Sequence, residues 1–216
     1  RTATHAFTGP GAFLGDHPIP FGQFGRIVLG EQWVAHHGGH GSQGTRGVIV
    51  GEHADHPILR GVEDVFGPTD VYAVVNLTDD DVVLLDAGVT ESLDPASALV
   101  DTEKNNPMHP LAWVHTYRAP NGTEGTSFCT TAGASVDFCS EDMRRMIVNA
   151  TYFLTGLDVP DDANVAYVDP YHPSFFGFIK DEDWYRRADL QPEDLDLGTE
   201  LKMKDPPNAP AWPFRN

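Results

Sequence analysis

The chain has 216 residues, of which 40% are hydrophobic and 21% charged, and its formal net charge is −18 at pH 7. This composition suits one globular domain with an ordinary apolar core. The acidity argues against nucleic acid as a partner, because phosphate binding needs clustered Lys and Arg. No apolar run approaches the roughly 20 residues that a membrane-spanning helix requires, so we expect no membrane span.

The N-terminal part of the chain is rich in glycine, histidine and aromatic residues. Residues 8–47 show little periodicity, which predicts a long loop with one short helix near Phe24–Leu29. Long loops inside compact domains often line a site. Within this loop, His36, His37 and His40 lie close together among glycines. Imidazoles at such spacing can converge on a divalent metal ion, although a solvated surface loop would have the same composition.

The rest of the chain alternates between short apolar runs and turn-forming residues. Such runs predict strands at Val48–Val50, Val71–Val75, Val82–Asp86, Pro110–Tyr117, residues 125–133 and Val165–Val168. The clearest helix begins after Ser140, which can cap it, and ends at Gly156. Residues 190–216 are acidic and then rich in proline, which indicates an extended C-terminal arm.

Several polar and aromatic residues are candidates for chemistry. His5 and His115 lie at predicted strand ends, where ligands collect in open α/β sheets. Each could act as a general acid or base near neutral pH, or could make a structural hydrogen bond instead. Asp86 ends a predicted strand and is a candidate carboxylate partner. Trp33 could stack on a sugar ring, whereas Trp113 lies within an apolar run that predicts a core position.

A set of segments, taken in order, carries a resemblance to a known family. They are His56-Pro-Ile to Gly61, Asp70-Val-Tyr72, Pro110-Leu-Ala-Trp-Val-His115, Phe128-Cys-Thr-Thr-Ala-Gly133, Arg144 and Arg145 through Asn149 to Gly156, and Tyr171-His-Pro-Ser-Phe-Phe-Gly177. Over about residues 1–180, the order and spacing of these segments resemble the ThuA-like (trehalose-utilisation) family.

The resemblance implies a flavodoxin-like three-layer α/β sandwich with a mainly parallel sheet, of the class I glutamine-amidotransferase type. Residues 1–189 would form the C-terminal part of this domain, and residues 190–216 the arm. The N-terminal strands of such a domain would precede Arg1–Phe7 and are absent from this sequence. Because an unpaired sheet edge and an exposed apolar face invite contacts, we expect a completing polypeptide segment or an oligomer partner.

The resemblance also bears on the chemistry of the two cysteines. Amidotransferase relatives place a cysteine nucleophile on an elbow that would fall near Arg1–His5, where this chain has none. Ala134 stands where many relatives keep a histidine. We therefore expect no cysteine-dependent glutaminase, and we expect Cys129 and Cys139 to be reduced and remote from the histidine cluster.

The family is associated with the breakdown of disaccharides and keto-sugars in bacteria. The leading hypothesis is therefore a carbohydrate-directed hydrolase, lyase or isomerase that uses histidine acid/base chemistry, with or without assistance from a divalent metal. Its ligand would be a carbohydrate or another small polar molecule, and its location the bacterial cytoplasm or periplasm. The alternative is a non-catalytic module on the same fold that binds a sugar or a protein partner.

Overall fold

The computed structural model describes residues 24–119 and 122–169, together with the shorter pieces 13–14, 17–18, 171, 173, 183, 186–187 and 189–199. His5, the Arg1–Phe7 segment and arm residues 200–216 lie outside the described residues, so the expectations placed on them stay predictions. Among the described residues, no helix is long and apolar enough to cross a membrane.

The regular elements of the described residues are mostly strands. The strands are β1 (Phe13–Leu14), β2 (His17–Pro18), β3 (Thr45–Ile49), β4 (Phe66–Gly67), β5 (Val82–Val89), β6 (His109–Arg118) and β7 (Glu124–Thr130). The α-helix α1 spans Glu141–Leu154. A π-helical turn spans Gly25–Leu29, and short 3₁₀ turns span Gly51–His53, Pro57–Leu59, Glu103–Asn105, Ser135–Cys139 and Pro192–Leu195.

Within the described ranges, the main sheet has five strands in the order β4-β3-β5-β6-β7, and every neighbouring pair is antiparallel. The expected flavodoxin-like sandwich with a mainly parallel sheet is therefore wrong. The connection between β6 and β7 shows the physical reason. It comprises only residues 119–123, whereas two parallel neighbours need a crossover of a dozen or more residues.

Two local helix predictions are confirmed, and one strand prediction is wrong. The helix after Ser140 is confirmed, since the Ser140 hydroxyl accepts a hydrogen bond from the Met143 amide at 3.3 Å. The short helical segment near Phe24–Leu29 is confirmed as the π-helical turn. The predicted strand at Val71–Val75 is wrong, because that segment forms only a single bridge between Tyr72 and His36.

The sheet is covered on both faces over part of its length. On one face, α1 packs Met143, Met146 and Ala150 against aliphatic residues of β5 and β6. On the other face, Trp113 of β6 and its neighbour Cys129 of β7 pack against the π-helical turn. Trp113 is fully buried, which confirms its predicted core position. The sheet thus fixes the turn from which the chain continues toward the histidine-rich segment.

Candidate metal centre

Two segments distant in sequence lie side by side and carry the candidate site. The amides of His37 and Gly38 donate to the carbonyl of Val71 at 2.8 and 2.9 Å, and the Ala73 amide donates to the Ala35 carbonyl at 3.0 Å. A Cβ at Gly38 would lie 2.9 Å from the Val71 nitrogen, so glycine permits this approach. The pairing places His36 near Asp70, which begins the second segment.

A tight turn brings a second imidazole to the same carboxylate. The Gly39 carbonyl accepts hydrogen bonds from the amides of Ser42 and Gln43 at 3.0 and 2.8 Å. Gly41 has a φ of 73°, in the left-handed region that glycine adopts without strain. The turn therefore reverses the chain directly after His40 and holds that side chain beside His36.

The two imidazoles share one carboxylate. His36 Nδ1 lies 2.6 Å from Asp70 Oδ2, and His40 Nδ1 lies 2.8 Å from Asp70 Oδ1. The two rings are tilted, with their centroids 4.9 Å apart. One nitrogen or oxygen atom from each of the three residues lies within 4.8 Å of the other two. Small side-chain movements would bring all three atoms to the bond lengths of about 2.0–2.2 Å found around zinc.

The charge on Asp70 requires compensation. Its side chain is fully buried, whereas those of His36 and His40 are 40% and 38% exposed. Among the described residues, no lysine or arginine pairs with this carboxylate. A buried carboxylate needs positive charge nearby, which either a protonated imidazole or a bound cation supplies. Two imidazoles and one carboxylate form a donor set that zinc and other divalent transition metals accept.

Aromatic side chains border the cluster. The His36 ring meets Tyr72 edge-on at 5.3 Å and Trp33 at 5.7 Å between centroids. The same Trp33 and Tyr72 line a small depression, with room for about one water molecule, together with Glu31, Gln32, Ala73, Val74, Trp113 and Thr131. Trp33 is 38% exposed, so part of its indole is available at the edge of the depression. Trp33 and Tyr72 are therefore shared neighbours of the depression and of the His36 imidazole.

His37 points elsewhere, although it follows His36 directly. Its Nε2 lies 2.8 Å from the Lys104 carbonyl oxygen, and its ring packs edge-on against His109 at 4.5 Å. The described structure thus brings His36 and His40 together with Asp70. The His37 side chain instead contacts Lys104 and His109.

His115 is held by two acceptors. Its Nδ1 lies 2.5 Å from Asp81 Oδ1, and its Nε2 lies 3.2 Å from the Ile27 carbonyl oxygen. The Asp81 side chain is 2% exposed and that of His115 is 18% exposed. These two contacts tie the turn at Asp81 and the π-helical turn to β6. His115 is not among the residues that line the depression.

Asp86 lies on β5, opposite Val48 of β3 and Pro110 of β6. The carboxylate partner of His115 is Asp81 rather than Asp86. Within the described residues, Asp86 makes no side-chain hydrogen bond or ion pair, and partial burial raises its pKa. An unpaired, partly desolvated carboxylate favours the neutral form more than an exposed one does.

The segment that leads into the site is fastened to the sheet at three successive carbonyls. His115 Nε2 contacts the Ile27 carbonyl, the Ser127 hydroxyl donates to the Val28 carbonyl, and Trp113 Nε1 donates to the Leu29 carbonyl. The carbonyls at the C-terminal end of a helix lack partners within it. Here side chains of β6 and β7 supply the donors, and this orients the chain that continues to Trp33 and His36.

Glu31 fastens the same segment from its other side. Its carboxylate accepts hydrogen bonds from the amides of Gln32, Val75 and Asn76 at 2.8–2.9 Å and from the Asn76 side chain at 2.8 and 3.1 Å. Arg26 adds an ion pair at 3.3 Å. Burial alone would raise the pKa of Glu31, but the hydrogen bonds from Val75, Asn76 and Gln32 outweigh it and lower the pKa.

The cysteines differ in environment. Cys129 is buried, and this burial raises the pKa of its thiol to about 12. Cys139 is partly exposed. A thiol with so high a pKa is a poor nucleophile at neutral pH.

The chain matched no family model, no curated protein and no solved structure in comparisons with known proteins. The resemblance to the ThuA-like family therefore depends only on the segments quoted above. Asp70 and Asp81 are the carboxylates that the sequence interpretation did not assign to a site. Asp70 directly precedes an apolar run, and an aspartate at that position is the one signal in the sequence that could have suggested it.

Proposed function

We propose that the protein binds one divalent transition-metal ion at His36, His40 and Asp70, and that this ion acts on a small polar ligand seated beside Trp33. The observation that carries the proposal is the convergence of two imidazoles on one fully buried carboxylate that has no lysine or arginine partner among the described residues. A bound cation would neutralise the carboxylate and replace the two close nitrogen–oxygen contacts.

The described residues offer three ligands, and this number favours a reactive site over a structural one. Structural zinc sites are usually closed by four protein ligands, whereas catalytic sites have three and leave a position for water or substrate. The two imidazoles are partly exposed, so the open side of the cluster faces solvent. A metal-bound water there would be acidified enough to serve as a nucleophile near neutral pH.

The proposed ligand class is a carbohydrate, as the resemblance implies. What supports it in the structure is the partly exposed indole of Trp33, which meets the His36 ring and borders the depression. An aromatic face presented at a ligand site suits the apolar face of a sugar ring, while hydroxyl groups suit a hard or borderline cation. Hydrolysis by the metal-bound water is the reaction class that fits these parts.

The metal site is tested by titrating the chelator-treated protein with Zn²⁺, Mn²⁺ and Co²⁺ in a calorimeter, with bound metal counted by elemental analysis. We expect one ion per chain. His36→Ala, His40→Ala and Asp70→Asn should each weaken binding by at least about tenfold, since even partners outside the coordination sphere contribute that much. His37→Ala is the matched control and should bind like wild type. Equal losses in His37→Ala, or no binding by wild type, would contradict the proposal.

The ligand is tested with trehalose as the probe, on the metal-loaded protein and on its chelated form. We expect trehalose to change the intrinsic tryptophan fluorescence of the loaded protein and to be cleaved slowly. Trp33→Ala should remove both effects and leave the metal stoichiometry intact. If the loaded and the metal-free protein cleave trehalose at the same rate, the histidines work through acid/base chemistry alone, and the proposal of a metal-dependent reaction is wrong.

A further inference from the structure

A second buried carboxylate bonds to the residue that precedes the candidate metal ligand Asp70. Asp137, in the 3₁₀ turn that follows β7, is fully buried. Its Oδ1 accepts from the Thr69 amide at 3.0 Å, and its Oδ2 accepts from the Thr69 hydroxyl at 2.5 Å. Oδ2 also accepts from the amides of Gly133 and Ala134 at 2.7 and 2.8 Å. The carboxylate thus joins the end of β7 to the residue that precedes Asp70.

Thr69 is fixed through every polar group it has. Its amide and hydroxyl bond to Asp137, and its carbonyl accepts from the Thr45 hydroxyl at 2.6 Å. The residue is fully buried. A Cβ at Gly67 would lie 2.6 Å from Asp137 Oδ1, so only glycine leaves room for the carboxylate. These contacts therefore hold the backbone before Asp70 in place relative to the sheet.

Asp70 itself contributes little to its own placement. Among the described residues, its carboxylate bonds only to the imidazoles of His36 and His40. Its orientation must come from the backbone on either side. Val71 on one side is paired to the histidine segment, and Thr69 on the other side is held by Asp137.

We propose that Asp137 and Thr69 are positioning residues that set the Asp70 carboxylate for metal binding; this inference rests on the proposed metal site. The argument is geometric. Ligand sites tolerate displacements of only about 0.5 Å before affinity falls. Freeing the Thr69 hydroxyl would let the backbone before Asp70 relax, and the carboxylate would no longer meet both histidines at once.

The test compares two Thr69 variants of similar side-chain size with a control variant that should lose stability at another buried site. Thr69→Val removes the hydroxyl bond to Asp137 and should weaken Co²⁺ binding about tenfold, as loss of an outer-shell partner does. It should also change the visible absorption spectrum of the Co²⁺ complex. Thr69→Ser restores the hydroxyl and should restore both. Asn149→Ala is the control, because Asn149 is likewise buried and bonds to the carbonyls of Ile58 and Arg60.

The control should lose stability in urea but keep the wild-type Co²⁺ affinity and spectrum. If wild type binds Co²⁺ and Thr69→Val binds it with the same affinity and spectrum, the positioning role is wrong and the metal site stands. If Asn149→Ala weakens binding as much as Thr69→Val, the effect is one of stability alone, and the positioning role is again wrong. If wild type does not bind, both proposals fail. Asp137→Asn should follow Thr69→Val when folded; should it not fold, the Thr69 pair decides.

Discussion

At the scale of single residues, Glu31 shows how one buried carboxylate can hold two distant segments together. It is 2% exposed and collects hydrogen bonds from its own segment and from residues 75–76. Because these bonds favour the ionised form, its pKa in the folded protein lies below the ordinary value of 4.5. The stability that they contribute must therefore depend on pH.

The first prediction concerns Glu31→Gln. The amide keeps the shape but cannot accept all of these bonds, so we expect a loss of about 2 kcal/mol in the free energy of unfolding at pH 7. A lowered folded-state pKa gives stability that is present above the unfolded-state value and lost as pH falls through the folded-state value. The difference between wild type and Glu31→Gln should thus be constant from pH 8 to 6 and shrink below about pH 4.5.

Urea unfolding at pH 7, 5, 4 and 3 measures this difference. Glu52→Gln is the matched control, since the Glu52 side chain is 77% exposed and its loss should change stability by less than about 0.5 kcal/mol. A wild-type advantage over Glu31→Gln that stays the same at pH 3 and pH 7 would contradict the assignment of an ionised, hydrogen-bonded Glu31.

At the scale of elements, the hairpin of β6 and β7 shows what could be predicted from the sequence. The apolar run at Leu111–Val114, the turn residues Asn121-Gly122 and the second run predict three of the four strand ends to within one residue, whereas β7 ends three residues before the predicted end at 133. The same short turn also determines their direction, because strands joined so closely can only be antiparallel. The family resemblance implied a parallel sheet, and the turn length was the local evidence against it.

The histidine-rich loop shows what could not be predicted. The spacing of His36 and His40 indicates that they can meet, and the structure shows them doing so. Their shared partner, Asp70, lies 30 residues beyond His40, and only the pairing of segments 35–38 and 70–73 brings it there. Long-range pairings of irregular segments leave no periodic signal in the sequence. The same reason explains why the sequence does not identify Asp81 as the buried partner of His115.

At the scale of the whole molecule, the net charge of −18 is the dominant property. Like charges in one compact chain repel, which destabilises the folded state relative to the more expanded unfolded chain. The effect is screened by salt, since the Debye length falls from about 30 Å at 0.01 M to about 8 Å at 0.15 M. A negative field of this size would also attract divalent cations toward the cluster at Asp70.

Added salt should therefore change stability and metal binding in opposite directions. Raising NaCl from 0.01 to 0.15 M at pH 7 should increase the free energy of unfolding in urea, an uncharged denaturant, and should weaken the binding of Co²⁺. A gain of about 1 kcal/mol would raise Tm by roughly 2–4 °C in a chain of this size. The internal control is pH 4.6, close to the sequence pI, where the net charge vanishes and the salt dependence of stability should vanish with it. Stability that falls as NaCl is added at pH 7 would mean that attractive ion pairs outweigh the excess of negative charge, and the account of the whole-molecule field would be wrong.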